Sequence, residues 1–210
     1  MTISVYTIGH STQSVDRFVH LLKQHDVTAV ADVRSRPYSR MNPQFNKDEL
    51  KESLRDANIA YVFLGKELGA RSEDRSCYRN GQVRYELLAR TELFKAGIKR
   101  VKEGSRDFRV ALMCAEKEPL DCHRTILISR ELEREDVKVL HILHDGRIEE
   151  HKEAINRLVA MLRIPNADMF REESTVIEDA YQQRGETIAY RDDNQGDSKQ
   201  DNSQNPRPLE

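Results

Sequence analysis

The segment "ISVYTIGHSTQSVDRFVHLLKQHDVTAVADV" (residues 3–33) contains the first complete strand–helix–strand pattern of the chain. Residues 3–8 are mainly β-branched and aromatic and are followed by glycine, which predicts a strand. Over residues 14–25, apolar side chains recur at helical spacing after Ser14, a residue type that caps helices. Residues 27–33 are a nearly continuous run of small apolar residues, as a strand buried on both faces requires. The segment therefore predicts a βαβ unit.

The same alternation continues along the chain. Further helices are predicted over residues 46–58, 83–104, 121–135 and 146–164, and further strands over residues 59–65, 109–114 and 137–143. Asp121 is the predicted N-cap of the helix that starts there. Residues 66–80 are rich in arginine and show no clear period, which predicts a functional loop. The fold class is therefore α/β, with three layers: a mostly parallel sheet of about five strands with helices on both faces.

The domain organisation is predicted from the decrease in apolar residues toward the C-terminus. Residues 1–165 are predicted to form a single α/β domain, and residues 166–184 a weakly structured extension. Residues 185–210 consist mainly of acids, amides, serine and proline with almost nothing to bury, so this tail is predicted to be disordered.

Composition and charge limit the classes of function. The 210 residues carry a net charge of −2, which predicts no bulk attraction to nucleic acid or membrane. We expect a cytoplasmic protein with no membrane partner, because no apolar run approaches the about 18 residues of a membrane span and the N-terminus does not resemble a signal peptide. The three cysteines are an odd number, which disfavours a disulfide framework and leaves packing, metal binding or reactivity as their role.

Polar residues and glycines follow the predicted strands at their carboxyl ends. They are His10 and Ser11, Asp32 and Arg34, Gly65 and Gly69, and Cys114 and Glu116. The carboxyl ends of parallel strands meet at one edge of a sheet, which is where ligands bind in this fold class. The sequence therefore predicts a single site to which all these segments contribute.

The stretch "LMCAEKEPLDCHR" (residues 112–124) concentrates reactive side chains at this edge. If Asp121 caps the helix, then Cys122, His123 and Arg124 lie in its first turn. Free backbone N–H groups and the helix dipole favour anions there, and a thiol in that position ionises readily.

Three interpretations of these cysteines remain open. They are packed core residues, or they form an anion site with a reactive thiol, or Cys114 and Cys122 bind a metal with a carboxylate and a histidine such as His10. The metal interpretation is disfavoured because Cys-x7-Cys is not a usual zinc spacing and because the adjacent Cys122 and His123 rarely ligate one ion in a helix turn.

The other candidate residues also have two interpretations each. Arg34, Arg36 and Arg40 are either a solvated loop or fixed guanidinium groups for carboxylate or phosphate. Asp32 and His10 are either structural or catalytic. Glu116 is either a general base or a partner for Arg34.

The motifs "YTIGHS", "ADVRSRPYSR", "YVFLGKELG" and "VALMCAEKEPLDCHR", followed by "VLHI", resemble the bacterial and archaeal family called domain of unknown function 488. The resemblance covers about residues 3–145 and implies a compact α/β domain, but no reaction. It places recurrent positions at His10, Ser11, Asp32, Arg34, Pro37, Ser39, Arg40, Gly65, Leu68, Gly69, Cys114, Glu116, Cys122, His123 and Arg124. The chain departs from the pattern at Ala70 and at Glu135-Asp136, where glycines are expected.

A weaker similarity links the chain to rhodanese-like and cysteine-phosphatase domains, which pair an early "DVR" strand end with a later strand, cysteine loop and helix. Here the loop from Cys114 to Arg124 is longer and contains no glycine. Close approach of backbone to an oxyanion generally uses glycine, which argues against the same cradle.

The leading functional hypothesis is an enzyme that binds a small anionic or nucleotide-like substrate. Its predicted catalytic residues are Cys114, Cys122, His123, His10, Glu116 and Asp32. Its predicted substrate-binding residues are Ser11, Arg34, Arg36, Ser39, Arg40, Gly65, Gly69 and Arg124. No metal ligand is assigned, and the cofactor is left open. The alternative is a nucleic-acid-binding module that uses the arginine-rich loops 34–40 and 71–84, with Tyr38 and Tyr78 as stacking faces.

Overall fold

The computed structural model describes residues 3–165 and 172–192. The strands of its main sheet are β1 (Ser4–Gly9), β2 (Ala29–Asp32), β3 (Ala60–Phe63), β6 (Val110–Cys114), β7 (Lys138–Ile142) and β8 (Ile148–Glu150). Their order across the sheet is β3-β2-β6-β1-β7-β8. The first five strands pair in parallel, and β8 pairs antiparallel to β7 at the edge. The predicted parallel α/β sheet is confirmed, with one strand more than expected.

A second, smaller sheet lies outside the main one. Its strands β4 (Tyr78–Arg79) and β5 (Gln82–Val83) form an antiparallel hairpin. The turn between them contains Asn80 and Gly81, both with positive φ, as tight hairpin turns require.

The α-helices flank the main sheet. They are α1 (Val15–Gln24), α2 (Lys47–Asp56), α3 (Gly65–Leu68), α4 (Tyr85–Leu88), α5 (Glu92–Asp107), α6 (Arg130–Arg134), α7 (His151–Leu162) and α8 (Glu173–Ile188). Short 3₁₀ helices cover Pro43–Phe45, Arg75–Cys77 and Pro119–Asp121, and a π-helix covers Arg124–Ser129. Ser14 is the N-cap of α1, as predicted, because its hydroxyl accepts a hydrogen bond from the Arg17 N–H.

Two hydrophobic cores form because side chains alternate across β6. Ala111 and Met113 face one core, to which α1 and α2 contribute Phe18, Leu21, Leu50 and Leu54. Val110, Leu112 and Cys114 face the other core, which is covered by α4 to α8. All five residues of β6 are buried, so β6 is a central strand with helices on both faces.

The structure corrects four predicted elements. The helix predicted over residues 146–164 begins only at His151, and residues 148–150 form the edge strand β8. The helix predicted over residues 83–104 is divided among β5, α4 and α5. The helix predicted over residues 121–135 does not begin at Asp121, because Pro119 starts a 3₁₀ turn that ends there and Cys122 is extended, with φ −132° and ψ 141°. The 66–80 segment predicted as a loop contains short helical turns and β4.

The C-terminal extension is also different from the prediction. Residues 173–188, expected to be partly weak extension and partly disordered tail, form the 16-residue helix α8. Val176, Ala180 and Tyr181 are buried, so α8 is part of the fold's core. Residues 189–192 continue alongside the hairpin, where Ala189 is buried and Gln82 pairs with Arg191. The rest of the predicted tail lies outside the described residues.

A chain of buried side chains ties α8 to the sheet. The Thr7 hydroxyl lies 2.8 Å from His141 Nδ1, His141 Nε2 lies 2.9 Å from His151 Nδ1, and His151 Nε2 lies 2.7 Å from the Tyr181 hydroxyl. The chain is satisfied when each imidazole carries one proton, because each ring then donates once and accepts once.

Among the described residues, no helix has the length and apolar character needed to span a membrane.

Candidate active site at the carboxyl edge of the sheet

Three neighbouring strands end at the candidate site. Because β6 lies between β2 and β1, Cys114 pairs with Gly9 and Met113 pairs with Asp32. The chain segments after these strands, far apart in sequence, therefore lie side by side. This is the arrangement that the strand directions predict.

Gly9 holds the loop after β6 close to β1. A Cβ atom on Gly9 would lie 1.8 Å from the Glu116 carbonyl oxygen, so no larger residue fits without moving this loop. Backbone hydrogen bonds from the His10 and Ser11 N–H groups to the Cys114 and Ala115 carbonyls, of 2.9 and 2.8 Å, fix the same segment. Ser11 reaches its donor position with a positive φ of 49°.

Two cysteines, a histidine and a glutamate form one cluster behind this loop. Sγ of Cys114 and Sγ of Cys122 each lie 3.0 Å from Glu116 Oε2. The same sulfurs lie 3.7 and 3.8 Å from Nδ1 of His123. Both cysteines and His123 are buried, whereas Glu116 reaches them from an exposed position. The extended backbone at Cys122 turns its side chain to the same side as that of His123.

The cluster shifts the pKa values of its members in different directions. A hydrogen bond with Cys122, burial and the nearby negative charges hold the pKa of Cys114 well above its ordinary value. Burial would also raise the pKa of Cys122, but the hydrogen bond with Cys114 and the positive charges of Arg124 and His123 hold it well below that value. Burial and the Cys122 charge raise the pKa of Glu116. The charge of Cys122 raises the pKa of His123 against the opposing effect of burial.

Arg124 is a fully buried cation beside the cluster. Its guanidinium donates to the Glu116 carbonyl at 2.8 Å and to the Lys117 carbonyl at 3.4 Å, and its Nε is buried with no hydrogen-bond partner. Within the described ranges, no carboxylate forms an ion pair with it. A buried charge is costly unless an opposite charge lies near. The backbone N–H of Arg124 also donates to the Cys122 sulfur at 3.5 Å.

His10, Asp32 and Arg34 form a second, separate assembly. The Arg34 guanidinium donates to both Asp32 oxygens, at 2.9 and 2.7 Å, and to the Phe45 carbonyl at 2.8 Å. His10 Nδ1 donates to the Ser11 carbonyl and its Nε2 accepts from Arg34 at 3.2 Å, so both nitrogens are engaged. Burial lowers the pKa of His10 to about 4.

This assembly corrects the interpretation of Arg34 as a free anion-binding group and that of Glu116 as the partner of Arg34. The partner of Arg34 is Asp32, and Glu116 instead approaches the sulfurs. The positive charge of Arg34 is therefore already neutralised inside the protein, although its side chain borders a hollow beside the cysteine cluster.

A hollow of about 260 Å³ opens beside the cysteine cluster. Its lining combines Cys114, Glu116 and His123 with Arg36, Arg71 and Tyr190, and with other residues of the same loops. Arg36 and Arg71 are exposed, and no ion pair to either is found in residues 3–165 and 172–192. The Arg71 guanidinium lies over the Tyr190 ring, 4.5 Å from its centre. Cationic and aromatic side chains thus line the same hollow as the thiol, imidazole and carboxylate groups.

The remaining predicted substrate-binding residues lie outside the hollow's lining. The Ser39 hydroxyl accepts from the Asn42 N–H and so shapes its own loop. Arg40 is exposed. Gly65 and Gly69 are packing positions, because a Cβ on Gly65 would lie 2.0 Å from the Arg34 carbonyl and one on Gly69 would lie 2.3 Å from the Gly65 carbonyl.

The structure weakens the proposed nucleic-acid surface at one of its two tyrosines. Tyr38 is exposed, but Tyr78 is buried and its hydroxyl donates to the Ser72 carbonyl. Arg75 and Arg84 in the second loop are paired with Asp192 and Glu186. Nucleic-acid binding itself stays an untested prediction.

Sequence reasoning missed Arg71 and Tyr190 as parts of the hollow. The sequence places Arg71 in the arginine-rich loop of the nucleic-acid alternative and Tyr190 in the predicted disordered tail. The signal for α8 was the spacing of Val176, Ala180 and Tyr181, which repeats at helical intervals just before the polar tail begins.

The fold and the site together define an α/β protein with a cysteine, histidine and glutamate cluster at the carboxyl edge of its parallel sheet. The chain belongs to the family described as Domain of unknown function DUF488, whose model matches residues 14–130. This confirms the resemblance seen in the sequence over a narrower range, which includes the cysteine cluster but not His10 or Ser11. No curated protein and no solved structure matches the chain.

Proposed function

We propose that this protein is an enzyme that acts on a small anionic or nucleotide-like substrate bound in the hollow. The observation that carries this proposal is that Arg36 and Arg71, which form no ion pair within the described residues, line the same hollow as the Cys114, His123 and Glu116 side chains. Guanidinium groups suit carboxylate and phosphate, which they bind through parallel N–H donors.

The cluster supplies groups that can perform chemistry on such a substrate. Thiol, imidazole and carboxylate side chains within hydrogen-bond reach of one another are typical of nucleophilic and acid–base catalysis. Glu116 is the member that is open to solvent, so we assign it the transfer of protons between the cluster and the substrate. His10 and Asp32 are left out of this set because their polar atoms are committed to Arg34 and the backbone.

The Tyr190 ring supports the nucleotide-like part of the proposal. It lies beneath Arg71 at the rim, and Tyr85 also lines the hollow. An aromatic face beside a cation can hold a planar base while the arginines bind phosphate. A cytoplasmic location fits this function, since a reducing compartment keeps the three free thiols reduced.

The proposal is tested by ligand-induced thermal shifts with a library of nucleotides, phosphosugars and small carboxylates. A true ligand at about 100 times its Kd stabilises the fold by about 2.7 kcal/mol. The double variant Arg36→Ala/Arg71→Ala should lose this shift. Arg40→Ala is the matched control, because it removes an exposed arginine of the same loop that does not line the hollow.

Two results would contradict the proposal. The first is a library in which no compound shifts the melting temperature of the wild-type protein. The second is a ligand whose shift survives in the Arg36→Ala/Arg71→Ala variant. Once a ligand is found, its turnover is followed by chromatography of the reaction mixture, and the variant Glu116→Gln should abolish turnover while leaving the thermal shift in place.

A further inference from the structure

Three potential metal-ligand atoms converge at the centre of the cysteine cluster. Sγ of Cys114, Sγ of Cys122 and Nδ1 of His123 all lie within 4.8 Å of one another. All three residues are buried, so the convergence is not a chance grouping on a surface. Two sulfurs and one imidazole nitrogen are ligands that zinc prefers.

The spacing of these atoms fits a tetrahedral ion. Zinc lies about 2.3 Å from thiolate sulfur and about 2.0–2.1 Å from imidazole nitrogen, so at tetrahedral angles sulfur and nitrogen are about 3.6 Å apart. The two distances from sulfur to His123 Nδ1 in the protein are 3.7 and 3.8 Å. Both sulfur–nitrogen distances therefore match tetrahedral coordination to within about 0.2 Å.

The tautomer of His123 is set for coordination through Nδ1. Its Nε2 lies 3.1 Å from the Val33 carbonyl oxygen, which can only accept, so Nε2 carries a proton and donates it. In the neutral ring, Nδ1 then presents its lone pair to the two sulfurs. Metal-binding histidines usually donate their other ring N–H to a carbonyl or carboxylate in this way.

A divalent ion would also balance the charges around the cluster. Two thiolates and the Glu116 carboxylate carry three negative charges, while the buried Arg124 carries one positive charge. The two charges of Zn²⁺ supply the difference. Buried charges are tolerated when they are paired or coordinate a metal, and this set satisfies that condition as a whole.

We infer that Cys114, Cys122 and His123 bind a zinc ion, with Glu116 Oε2 at the fourth position or displaced from it by water or a bound anion. Three protein ligands with an exchangeable fourth position are typical of zinc sites that take part in reactions. The inference does not depend on the proposed function, because zinc binding is measured without a substrate.

The site also shows why the sequence disfavoured a metal. The sequence predicts Cys122 and His123 in the first turn of a regular helix, where the side chains of adjacent residues point in different directions. Cys122 is instead extended and His123 is helical, with φ −61° and ψ −24°, so the two side chains converge. His123 occupies the place for which His10 was considered.

The test measures metal binding in the full chain. Purified protein is stripped with a chelator under reducing conditions, and separate samples are titrated with Zn²⁺ and with Co²⁺. We expect one equivalent of either metal and, for Co²⁺, the sulfur-to-cobalt charge-transfer band and the intense visible bands of tetrahedral coordination. Either of two results with the wild-type protein would overturn the inference: less than one equivalent of bound metal, or a Co²⁺ spectrum without the charge-transfer band.

Variants locate the ion. His123→Gln and Cys122→Ser should each lower zinc affinity by more than about 100-fold, since even outer-shell partners account for about 10- to 100-fold. Cys77→Ser is the matched control, because it removes a buried thiol outside the cluster and should keep full binding. Circular dichroism confirms that each variant is folded. Equal loss in Cys77→Ser, or unchanged affinity in a folded His123→Gln, would contradict the assigned ligands.

Discussion

Gly9 packs against the Glu116 carbonyl oxygen so closely that a methyl group at this position would occupy the space of the peptide. We therefore expect Gly9→Ala to push the 114–117 loop away from β1. Overpacking of this kind costs about 1–3 kcal/mol of unfolding free energy, which urea denaturation measures. The same variant should lose ligand and metal binding, because the loop carries Cys114 and Glu116.

Gly104→Ala is the control for this substitution. No atom lies within 4 Å of the Cβ it would add, in helix α5. It should stabilise the protein by about 0.5–1 kcal/mol, as alanine does in a helix interior. If Gly9→Ala were as harmless as Gly104→Ala, the close contact between β1 and the loop would not hold the site.

The ion pair of Asp32 and Arg34 is the second feature that a single substitution tests. Arg34→Met leaves the buried Asp32 carboxylate without its main partner, which costs about 3–5 kcal/mol. Tyr61→Phe removes only the hydroxyl that donates to Asp32 Oδ2, at a cost of about 1.5 kcal/mol. The two unfolding free energies are compared at neutral pH. An equal cost for both variants would show that Arg34 is not the principal partner.

At this scale, the sequence predicted residue types better than partners. The position of Asp32 and Arg34 at a strand end was evident from the run of apolar residues before them. Whether Arg34 faces a ligand or Asp32 depends on the side-chain conformations around Phe45, in the 3₁₀ helix Pro43–Phe45, and around His10, directly after β1. No local pattern contains that information.

At the scale of elements, α8 is held to the sheet by the chain from Thr7 through His141 and His151 to Tyr181. Burial lowers the pKa of His151 to about 3 and that of His141 well below its usual range, with Arg124 and Arg157 acting on His141 in the same direction. In the unfolded chain both histidines titrate near pH 6.5.

This network predicts a stability that declines in acid. Below about pH 6.5 the unfolded state binds protons that the folded state does not, so stability is full above this pH and is lost as the pH falls toward 3. Each histidine contributes up to about 1.4 kcal/mol per pH unit to the slope of unfolding free energy against pH. Urea denaturation between pH 7.5 and 5, about the range in which carboxylates stay mostly ionised, measures this slope.

The variant His151→Gln isolates the contribution of the network. Because glutamine does not titrate, this variant should lower the slope of unfolding free energy against pH by up to about 1.4 kcal/mol per pH unit, the contribution of one proton. His144→Gln, at an exposed position, controls for the substitution itself. A slope that is unchanged in His151→Gln would show that His151 is not held neutral in the folded protein.

The elements were predictable where one periodic pattern dominates. Ser14 and the apolar spacing after it define α1, and the apolar run over residues 27–33 contains β2. The segment from Pro119 to Arg134 was harder, because a proline turn, an extended cysteine and a π-helix follow one another within a stretch that reads as a single helix. At Asp136 the chain lacks the glycine that the family pattern leads one to expect. Asp136 itself adopts the positive φ of 60°, so the turn forms without glycine.

At the scale of the whole molecule, the site depends on the strand order. β6 comes after β3 in the chain but lies between β2 and β1, which brings Cys114 beside Gly9 and next to the end of β2. The sequence predicted a common edge because all these strands run in parallel. It did not predict which strands are neighbours, since that is decided by long-range packing of two helical layers. Nor did it predict that the segment after α8 places Tyr190 at the rim of the hollow.

The most direct test of this account is a crystal structure of the protein grown in tungstate, a tetrahedral oxyanion with strong anomalous scattering. The account predicts an anomalous peak in the hollow, within hydrogen-bond distance of the Arg36 and Arg71 side chains and facing Cys114 and His123. A hollow without tungsten, with peaks only elsewhere on the surface, would contradict the claim that the segments after β2 and β6 form one anion-binding site together with Arg71 and Tyr190.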